Sequence, residues 1–557
     1  MNNTTYMGLE IAMRGLYSSQ RAMANIAHNI DNVTTQGYSR QVVIQTASRP
    51  LLVANSAGML GTGSDVVSVD RIRDTFLDEK FWSEFQYLGE WSVKSTIIDD
   101  MQAIYNEPSE NGYTKIISDF YSALQILATD PSSLSTRAMV KEKGVAVAKY
   151  FNSVAIHFDH LQEDLNNMVN AKVEEINNLA DQIRDLNLQI YHFEVMGNKA
   201  NDLRDRRGHL VDKLSKLVNC SAYETETGLK LPNGEKETRF VVTISGKALV
   251  DHEQAVHLKC ESRDVKLNEE DMENLFEVSW ADGNKLQLKS GELKGYIDMR
   301  DGNDGILGAD GKNTPNCKGI PYYQRKMNEF VRVFAMSFNE GIIDTDGDGI
   351  LDKTNGHVDG YTLSSVPGDP PAGIRFFTLL DEYGRPVSSA EFETRALEYA
   401  SQMGITDDIT TPWDERLTAG YKNITARNFS ISFEIDNDPS ESIAASSAAG
   451  EVGNNENIHN LLQMRHNTYM FMEGAPEDYI KTLISSMGVD GQQYNQYLDI
   501  QEGITIQLEN RRHSISGVSL NEEMANLVKQ QQIYGAAAAM IQSFSEVLDI
   551  LVNRLGI

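Results

Sequence analysis

Histidines are the side chains in this sequence whose spacing comes nearest to a metal-binding motif. His252, Glu253 and His257 resemble the zinc-protease pattern, in which one helix presents two histidines at positions i and i+4. Here the two histidines are five residues apart, on a segment predicted to be a strand. His157 and His160 can share a helix face, but the sequence places no third ligand near them. We therefore expect no metal site at these histidines.

An aspartate-rich turn resembles the start of a calcium-binding loop. Asp344, Asp346 and Asp348 occupy alternate positions and are followed by Gly349. Position 12 of a complete loop is a glutamate that binds the ion through both oxygens, whereas here that position is Asn355. The sequence favours a polar turn and leaves calcium binding by the three aspartates open.

Motifs for nucleotide binding and for nucleophilic catalysis are incomplete. Residues 61–63, Gly-Thr-Gly, lack the third glycine of a dinucleotide-binding loop, and no Gly-x-Ser-x-Gly elbow is present. The cysteines Cys220, Cys260 and Cys317 are too few and too widely spaced for a disulfide framework or a zinc ribbon, and their redox state is open. We predict that the protein is not an enzyme and uses no cofactor.

The distribution of charge narrows the class of partner. The chain of 557 residues has 50 basic and 80 acidic side chains, a formal net charge of −30. This charge argues against binding to nucleic acid or to an anionic membrane surface, and no apolar run approaches the ~20 residues that cross a bilayer. Residues 1–41 hold three basic and two acidic side chains, and residues 518–557 hold two basic and four acidic side chains. The acidic excess of the chain therefore lies between these two segments. Ends with so little charge are suited to burial.

Both ends of the sequence carry a heptad pattern. Apolar positions recur at alternating spacings of three and four, which predicts coiled-coil helices. At the N-terminal end these positions are Leu9, Ala12, Leu16, Ser19, Met23, Ile26, Ile30 and Val33. At the C-terminal end they are Leu520, Glu523, Leu527, Gln530, Tyr534, Ala537, Ile541, Phe544, Leu548, Leu551 and Leu555. Because burial of about six side chains in the first helix offsets only part of the entropy cost of ordering it, we expect both helices to become ordered on assembly. Whether they pair within one subunit or between subunits is open.

The chain between these ends alternates between helical and strand-like patterns. A long helix with a 3,4 seam runs through residues 176–190, strands are predicted at 240–245, 255–260 and 276–288, and apolar residues alternate strictly from Phe429 to Ile435. The predicted fold is mainly α with β insertions: terminal coiled-coil helices and a long-helix bundle rod, with two strand-rich outer domains inserted. Its parts are a terminal coiled-coil assembly domain (1–36 and 520–557), a helical rod domain (37–218, 290–345 and 441–519), a small β domain (219–289) and a second β-rich outer domain (346–440).

Two terminal motifs resemble those of the bacterial flagellar rod, hook and hook-associated proteins. Residues 29–41, Asn-Ile-Asp-Asn-Val-Thr-Thr-Gln-Gly-Tyr-Ser-Arg-Gln, are similar to the family pattern Asn-Ile-Ala-Asn, spacer, Thr-Pro-Gly-Tyr, with Asp31 and Gln36 as departures. Residues 516–527 resemble the C-terminal motif, in which Ser519 or Asn521 is expected to cap the last helix. The residues matched to the family are Asn29, Asn32, Gly37, Tyr38, Arg40, Gly517, Glu523 and Asn526.

Internal segments are more similar to the hook-associated members of this family than to hook proteins. They are Tyr38 to Gln41, residues 120–124 with Asp130-Pro131 and Arg137, and the segment 201–207. The resemblance implies a structural subunit that joins hook to filament by polymerisation through its terminal helices. The assembly interface would then comprise Leu9, Leu16, Met23, Ile26, Ile30, Leu527, Tyr534, Ile541, Phe544, Leu548, Leu551 and Leu555.

The same resemblance implies partners and a location. The partners would be hook protein, a second hook–filament junction protein, like subunits in a ring, and an export chaperone at the C-terminal helix. Members of the family reach the extracellular flagellum through its type III apparatus without a cleaved signal peptide, and no such peptide is visible in residues 1–19. No nucleic acid and no membrane insertion are implied.

Two other classes of protein compete with this interpretation. A secreted cell-wall hydrolase would need paired carboxylates across a cleft in one of the strand-rich regions, and abundant acidic residues make chance pairs unavoidable. A surface adhesin built on a flagellar scaffold would bind its target through residues 346–440.

Overall fold

A computed structural model describes residues 4–52, 59–105, 112–230, 236–406 and 411–550. Its helices are α1 (Thr4–Asp31), α2 (Thr75–Tyr105), α3 (Tyr113–Thr129), α4 (Leu134–Val195), α5 (Asn201–Leu217), α6 (Glu292–Asp301), α7 (Ile320–Glu340), α8 (Ser389–Met403), α9 (Glu415–Gly420), α10 (Phe433–Asn437), α11 (Pro439–Ser442), α12 (Glu456–Gln463), α13 (Pro476–Ser516) and α14 (Leu520–Asp549). Its strands are β1 (Gln41–Ala47), β2 (Leu51–Leu52), β3 (Met59–Leu60), β4 (Ser64–Arg71), β5 (Cys220–Lys230), β6 (Lys236–Ile244), β7 (Lys247–Asp251), β8 (Gln254–Ala255), β9 (Leu258–Ser262), β10 (Phe276–Trp280), β11 (Ile342–Ile343), β12 (Asp352–Lys353), β13 (Phe377–Leu379) and β14 (Phe429–Ile431).

The long helices α2, α3, α4, α7 and α13 pack around an aromatic core. Helix α4 has 62 residues and buries one apolar stripe along most of its length, which at 1.5 Å per residue makes it about 90 Å long. Phe151 of α4 stacks on Phe330 of α7 at 5.2 Å between ring centroids, and Phe330 in turn stacks on Phe471 at 5.0 Å. The 3,4 seam predicted for residues 176–190 lies within α4, where Ile176 and Ile183 are fully buried.

A four-stranded antiparallel sheet, in the order β5-β6-β7-β8, packs on the distal half of α4 and on α5. Strand β10 ends at Trp280 and pairs with β9. The second strand predicted at 285–288, as a hairpin partner of β10, does not form. Asp282 and Gly283 still form a turn, with Gly283 at φ 81°, but after it the chain returns by a single bridge from Lys285 to Ser279. Six strands of this region thus lie between residues 220 and 280.

The segment 346–440 differs from the strand-rich region that the sequence predicted. Among its described residues, strands are limited to β12, β13 and β14, and helices α8 to α11 occupy much of the rest. The alternation that predicted a strand through Ile435 stops at Ile431, because the Ser432 side chain accepts a hydrogen bond from the backbone N–H of Ile435 and begins α10. Ile435 remains buried, whereas Phe433 is 53% exposed.

This segment also shares the aromatic core of the long helices. Phe376 and Phe377 lie 5.8 and 5.7 Å from Phe120 of α3, measured between ring centroids. A Cβ atom on Gly144 of α4 would lie 2.7 Å from the Phe376 ring, so the helix backbone and the ring are in direct contact. The fold class is mainly α with β insertions, as predicted, and residues 346–440 are packed into the helical body. No helix among the described ranges has the length and apolar character needed to cross a membrane.

Buried His357 predicts a loss of stability in acid. Its ring is 1% exposed; Nδ1 donates to Ile374 O at 2.7 Å and Nε2 accepts from Ala444 N at 3.0 Å. Burial, opposed by the Ile374 carbonyl and reinforced by the charge of Arg137, lowers the pKa of His357 to about 4. Because the unfolded chain takes up this proton near pH 6.5, the stabilisation is complete above that pH and is lost as pH falls towards 4, by about 2 kcal/mol at pH 5.

Thermal unfolding at pH 7.5 and pH 5 measures this effect. We expect the unfolding temperature of the native protein to fall more between the two pH values than that of His357→Gln, which cannot take up the proton. His459→Gln, at an exposed position, is the matched control and should behave as the native protein does. Equal pH dependence of the native protein and His357→Gln would contradict the assignment.

Candidate assembly interface at the chain termini

Helices α1 and α14 pair in antiparallel orientation within one chain, which answers the question that the sequence left open. Asn29 near the end of α1 bonds Glu523 near the start of α14, while Gly8 lies against Phe544. A Cβ atom on Gly8 would lie 2.1 Å from Phe544 Cζ, so the phenyl ring packs directly on the α1 backbone. Gly15 faces Ala537 at an ordinary contact distance of 3.9 Å.

The structure places most of the predicted interface residues along this pair. Ile26 is buried, and Leu9, Leu16, Met23, Ile30, Leu527, Ile541, Phe544 and Leu548 are half-buried. Tyr534 is exposed, while Leu551 and Leu555 fall outside the described residues. The sequence prediction omitted Met7 and Ala22, which are buried beside the seam. Two helices alone therefore cover the heptad positions only in part.

A second set of apolar residues on the same two helices faces solvent. These residues are 40–61% exposed in the single chain, and we call the eight together the outer apolar face: Tyr6, Met13, Tyr17, Met524, Val528, Ile533, Met540 and Val547. By helical spacing the three on α1 share one side, and Ile533, Met540 and Val547 share one side of α14, whereas Met524 and Val528 lie on another side of that helix. Single exposed apolar residues are ordinary, but exposed apolar residues beside a seam that is itself only partly covered make the pair a candidate interaction surface.

Four of the family-motif residues, Asn29, Tyr38, Arg40 and Glu523, meet at the base of the helix pair in one hydrogen-bond network. Asn29 Nδ2 donates to Glu523 Oε2 at 3.1 Å and to Gln41 O at 2.9 Å, and its Oδ1 accepts from Tyr38 Oη at 2.7 Å. Arg40 Nε donates to Glu523 Oε1 at 2.9 Å. The Glu523 side chain is only 2% exposed, so both carboxylate oxygens are bonded within the protein. The two sequence motifs are thus halves of one joint.

Tyr38 holds the N-terminal half of the joint as a hydrogen-bond donor. Burial, reinforced by the charges of Asp202, Asp205 and Glu523, raises the pKa of the Tyr38 hydroxyl well above its usual value. The hydroxyl therefore stays protonated and keeps donating to Asn29.

Helix α5 supplies a third side of this joint. Asp205 accepts from the backbone N–H and the hydroxyl of Ser39, both at 2.8 Å, and from Arg71 NH1 at 2.8 Å. Asp202 accepts from Gln41 Nε2 at 2.6 Å. The similarity at 201–207 pointed to this helix, but Asp202 and Asp205 alternate with arginines in the sequence, a pattern typical of a solvated helix surface. Asp205 instead fastens the residues after α1 to the helical body.

The turn between α1 and β1 depends on a glycine. Helix α1 ends at Asp31, and Gly37 adopts φ 78°, a left-handed conformation that a side chain would strain. A Cβ atom there would also lie 2.9 Å from His209 Cβ. At the other motif Gly517 precedes α14 and Ser519 is its N-cap residue, but the Ser519 side chain accepts no backbone N–H bond as the predicted cap would, and Asn521 lies within the first turn of the helix. Asn526 is half-buried on α14.

The remaining candidate residues do not converge on a catalytic site. His252 lies in the turn after β7 with φ 49°, and His257 lies between β8 and β9, where it contacts Asp181 at 3.2 Å. The oxygens of the 344–348 aspartates come within 4.8 Å of one another, and Asp344 accepts backbone N–H bonds from Gly347 and Gly349, as in a polar turn. The three cysteines are free thiols.

Comparison with known proteins finds two matching families and relatives that are similar along the whole chain. Residues 98–347 match the family described as flagellar hook-associated protein FlgK helical domain, and residues 513–555 match the flagellar basal body rod FlgEFG protein C-terminal family. Flagellar hook-associated protein 1 of Bacillus subtilis is 28% identical, covering 100% of this chain and 99% of the relative. The Escherichia coli protein of the same name is 24% identical, covering 97% of this chain and 98% of that one.

A solved structure shares the fold of this chain. The structure described as that of the flagellar hook junction protein FlgK from Burkholderia pseudomallei superposes with a TM-score of 0.52. It is 14% identical and covers 79% of this chain and 100% of its own, a likeness that concerns the fold. With its paired termini and the two terminal motifs joined, the chain is a structural protein of the flagellar axis. Within that class it is similar over its whole length to flagellar hook-associated protein 1 (FlgK), whose helical-domain family matches residues 98–347.

Loss of the Glu523 carboxylate is expected to loosen the base of the helix pair. Glu523→Ala removes the bonds of this side chain to Asn29 and Arg40 and leaves Arg40, 23% exposed, without its buried partner, a change that costs about 2–4 kcal/mol locally. Hydrogen exchange should show lost protection in residues 4–31 and 520–549 and unchanged protection in α4. The control is Glu522→Ala, because Glu522 also bonds Arg40, at 3.2 Å, but is 63% exposed and should contribute at most about 1 kcal/mol. Equal effects of the two variants would count against the joint.

Because Phe544 packs on Gly8, substitutions of Gly8 and Gly15 by alanine are expected to have opposite effects on the stability of the helix pair. Gly8→Ala must displace the phenyl ring, and overpacking of this kind costs about 1–3 kcal/mol. Trypsin should therefore cut at Arg14 and Arg21 of α1 about tenfold faster than in the native protein. Gly15→Ala should not accelerate cleavage, because its Cβ finds space and alanine favours the helix by about 1 kcal/mol. Adding Phe544→Ala to Gly8→Ala should slow the cleavage again; continued rapid cleavage would argue against the overlap.

Proposed function

We propose that the protein joins the flagellar hook to the filament as a ring of like subunits that polymerise through α1 and α14. The observation that carries this proposal is the outer apolar face on a helix pair whose base is fastened by the family motifs. The relative from Burkholderia pseudomallei is described as a hook junction protein, and the Bacillus subtilis relative matches over the whole chain.

The assembly step is burial of apolar surface between neighbouring subunits. Helices α1 and α14 have apolar residues both along the seam between them and on the outer apolar face. Within one chain each helix covers only the seam of the other, so the outer apolar face stays in solvent. Each exposed side chain that a neighbour covers contributes about 1.5–3 kcal/mol when burial is complete. Apart from the exposed Tyr534, the interface residues predicted from Leu9 to Leu548 are covered in part by the chain itself, and neighbouring subunits would cover the rest.

The neighbours are proposed from the family. Hook protein would lie on one side of the ring and the second hook–filament junction protein on the other. An export chaperone would cover α14 before assembly, since Met524, Val528 and Ile533 leave this helix with an exposed apolar surface. The protein would pass through the flagellar type III apparatus without a cleaved signal peptide and act outside the cell. We propose a structural and not a catalytic role, because the named relatives are hook-associated proteins; the comparisons give no support to the hydrolase or adhesin alternatives.

A charge placed on the outer apolar face tests this function. Val528 is 50% exposed on α14, so Val528→Glu should leave the single chain folded and helical but put a charge into the proposed contact. We expect cells that make only this variant to export it into the medium, to carry hooks without filaments, and to lose swimming. Met472→Glu, at a residue 98% exposed on the helical body, makes the same chemical change away from α1 and α14. Normal filaments with Val528→Glu, or equal loss with Met472→Glu, would reject the proposal.

A further inference from the structure

Helix α13 exposes a line of apolar side chains that the rest of the described chain leaves in solvent. We call this line the α13 stripe: Val489, Tyr497, Ile500, Ile504 and Ile515, which are 37–64% exposed. By helical spacing the five positions lie within about 80° of one another around the helix, and they span about 39 Å along it. The opposite side of α13 packs on α2 and on the aromatic core. The helix is therefore apolar on two sides, of which the chain covers one.

A partly exposed tryptophan extends the stripe onto α2 and is held in a fixed position. Trp91 is half-buried and lies 4.8 Å from Tyr497, measured between ring centroids. Lys94 lies 5.1 Å over the Trp91 ring, and its ammonium group is bonded to the buried carboxylates of Glu90 and Asp298 at 2.6 and 2.7 Å. Tryptophan and tyrosine are the side chains most enriched at the energetic centres of protein–protein contacts. The pair of rings thus forms a preorganised centre for a contact with another protein.

The α13 stripe carries no carboxylate, although the chain is strongly acidic. Helix α13 has six acidic side chains, but the positions between the stripe residues on the same side include Gln493, Gln507 and Arg511. Asp490 flanks the stripe and is paired with Lys318 at 2.8 Å. Copies of a chain with a net charge of −30 repel one another, and they approach at least cost where neither presents a free carboxylate. The stripe is therefore suited to an acidic partner, and a second copy of this chain is one.

The stripe also ends beside the proposed contact on α14. Ile515 and Met524 are nine residues apart in the chain, so their Cα atoms are separated by at most about 32 Å. The end of α13 is fixed to the joint, because the backbone N–H of Arg40 donates to Ser516 O at 2.7 Å. A neighbouring subunit that covers α14 is thereby brought within reach of the stripe.

We propose that the α13 stripe packs on the next copy of this chain in the ring, with Trp91 and Tyr497 at the centre of the contact. This inference rests on the proposed junction role and adds a second contact between subunits, made by the helical body. Because a ring of like subunits is closed by heterologous contacts, the stripe meets a different face of the neighbour and not the neighbour's stripe.

Photocrosslinking in flagellated cells tests this contact. A photoreactive phenylalanine analogue replaces Tyr497 in the full chain, and hook–filament particles are isolated after irradiation. We expect a crosslinked product that contains two copies of this chain and no other protein. The control position is Ile506, which is 53% exposed on another side of α13, and there we expect at least tenfold less of this product.

A charge placed in the stripe is expected to break the contact. Ile500→Glu should reduce the crosslinked product from position 497 at least tenfold, because the new carboxylate faces a second acidic copy. Ile506→Glu makes the same change outside the stripe and should leave the yield unchanged. Both positions are exposed, so the unfolding temperatures of the two purified variants should stay within about 2 °C of the native value.

Three results would overturn the assignment of the stripe. They are a product that contains a different flagellar protein in place of the second copy, equal yields from positions 497 and 506, and a yield from position 497 that Ile500→Glu does not lower. Particles that contain this chain but give no crosslink at position 497 would contradict the contact and leave the junction role intact. Particles that lack this chain would overturn the junction role, and this contact with it.

Discussion

A buried carboxylate with two obligatory partners constrains how the two ends of this chain meet. Glu523 lies at the start of α14, and at 2% exposure its charge must be met by hydrogen bonds within the protein. Those bonds come from Asn29 and Arg40, almost 500 residues earlier in the sequence. The joint therefore fixes both helices to each other and, through the neighbouring Ser39, to Asp205 of α5. Apolar packing alone would allow the pair to slide by a heptad; this network sets its register.

Periodicity predicted the elements well where a single face is buried over many residues. Helices α1, α4 and α14 follow from their 3,4 spacings, and the strands β6 and β9 follow from short alternating runs. The strand predicted from Phe429 to Ile435 is present only as far as Ile431, because a period of two over seven residues does not exclude a change of structure midway. One serine cap at position 432 was enough to begin a helix. Local capping of this kind competes with pattern and is weakly visible in sequence.

The joint itself could be predicted only in part. The motif positions 29, 38, 40 and 523 were identified by resemblance, but no property of the isolated sequence pairs an asparagine in one motif with a glutamate in the other. Asp205 was harder still, since aspartates interleaved with arginines are usual on solvated helix surfaces. Its role follows from the approach of Arg71 and Ser39, contacts between segments separated by more than 130 residues. Long-range polar contacts have no periodic signature.

The pair of helices α1 and α14 has a polar base, where hydrogen bonds are made within one chain, and an apolar far end, which the proposed assembly would cover. At the base of α1 and α14, hydrogen bonds and ion pairs are completed within one chain, so this joint needs no neighbour. Towards Gly8 and Phe544, the pair depends on apolar contact with residues that stay half-exposed. From the sequence, the heptad helices at both ends of the chain were expected to become ordered on assembly. The contrast between the bonded base and the apolar far end indicates where assembly would add most to their stability. In the single chain the pair would be most stable at Asn29 and Glu523 and least stable towards Gly8 and Phe544, and neighbouring subunits that cover the outer apolar face would stabilise that far end. The acidic excess lies in the body between the two terminal segments, which carry little net charge. In the proposed assembly, repulsion between the acidic bodies would direct association to the terminal helices.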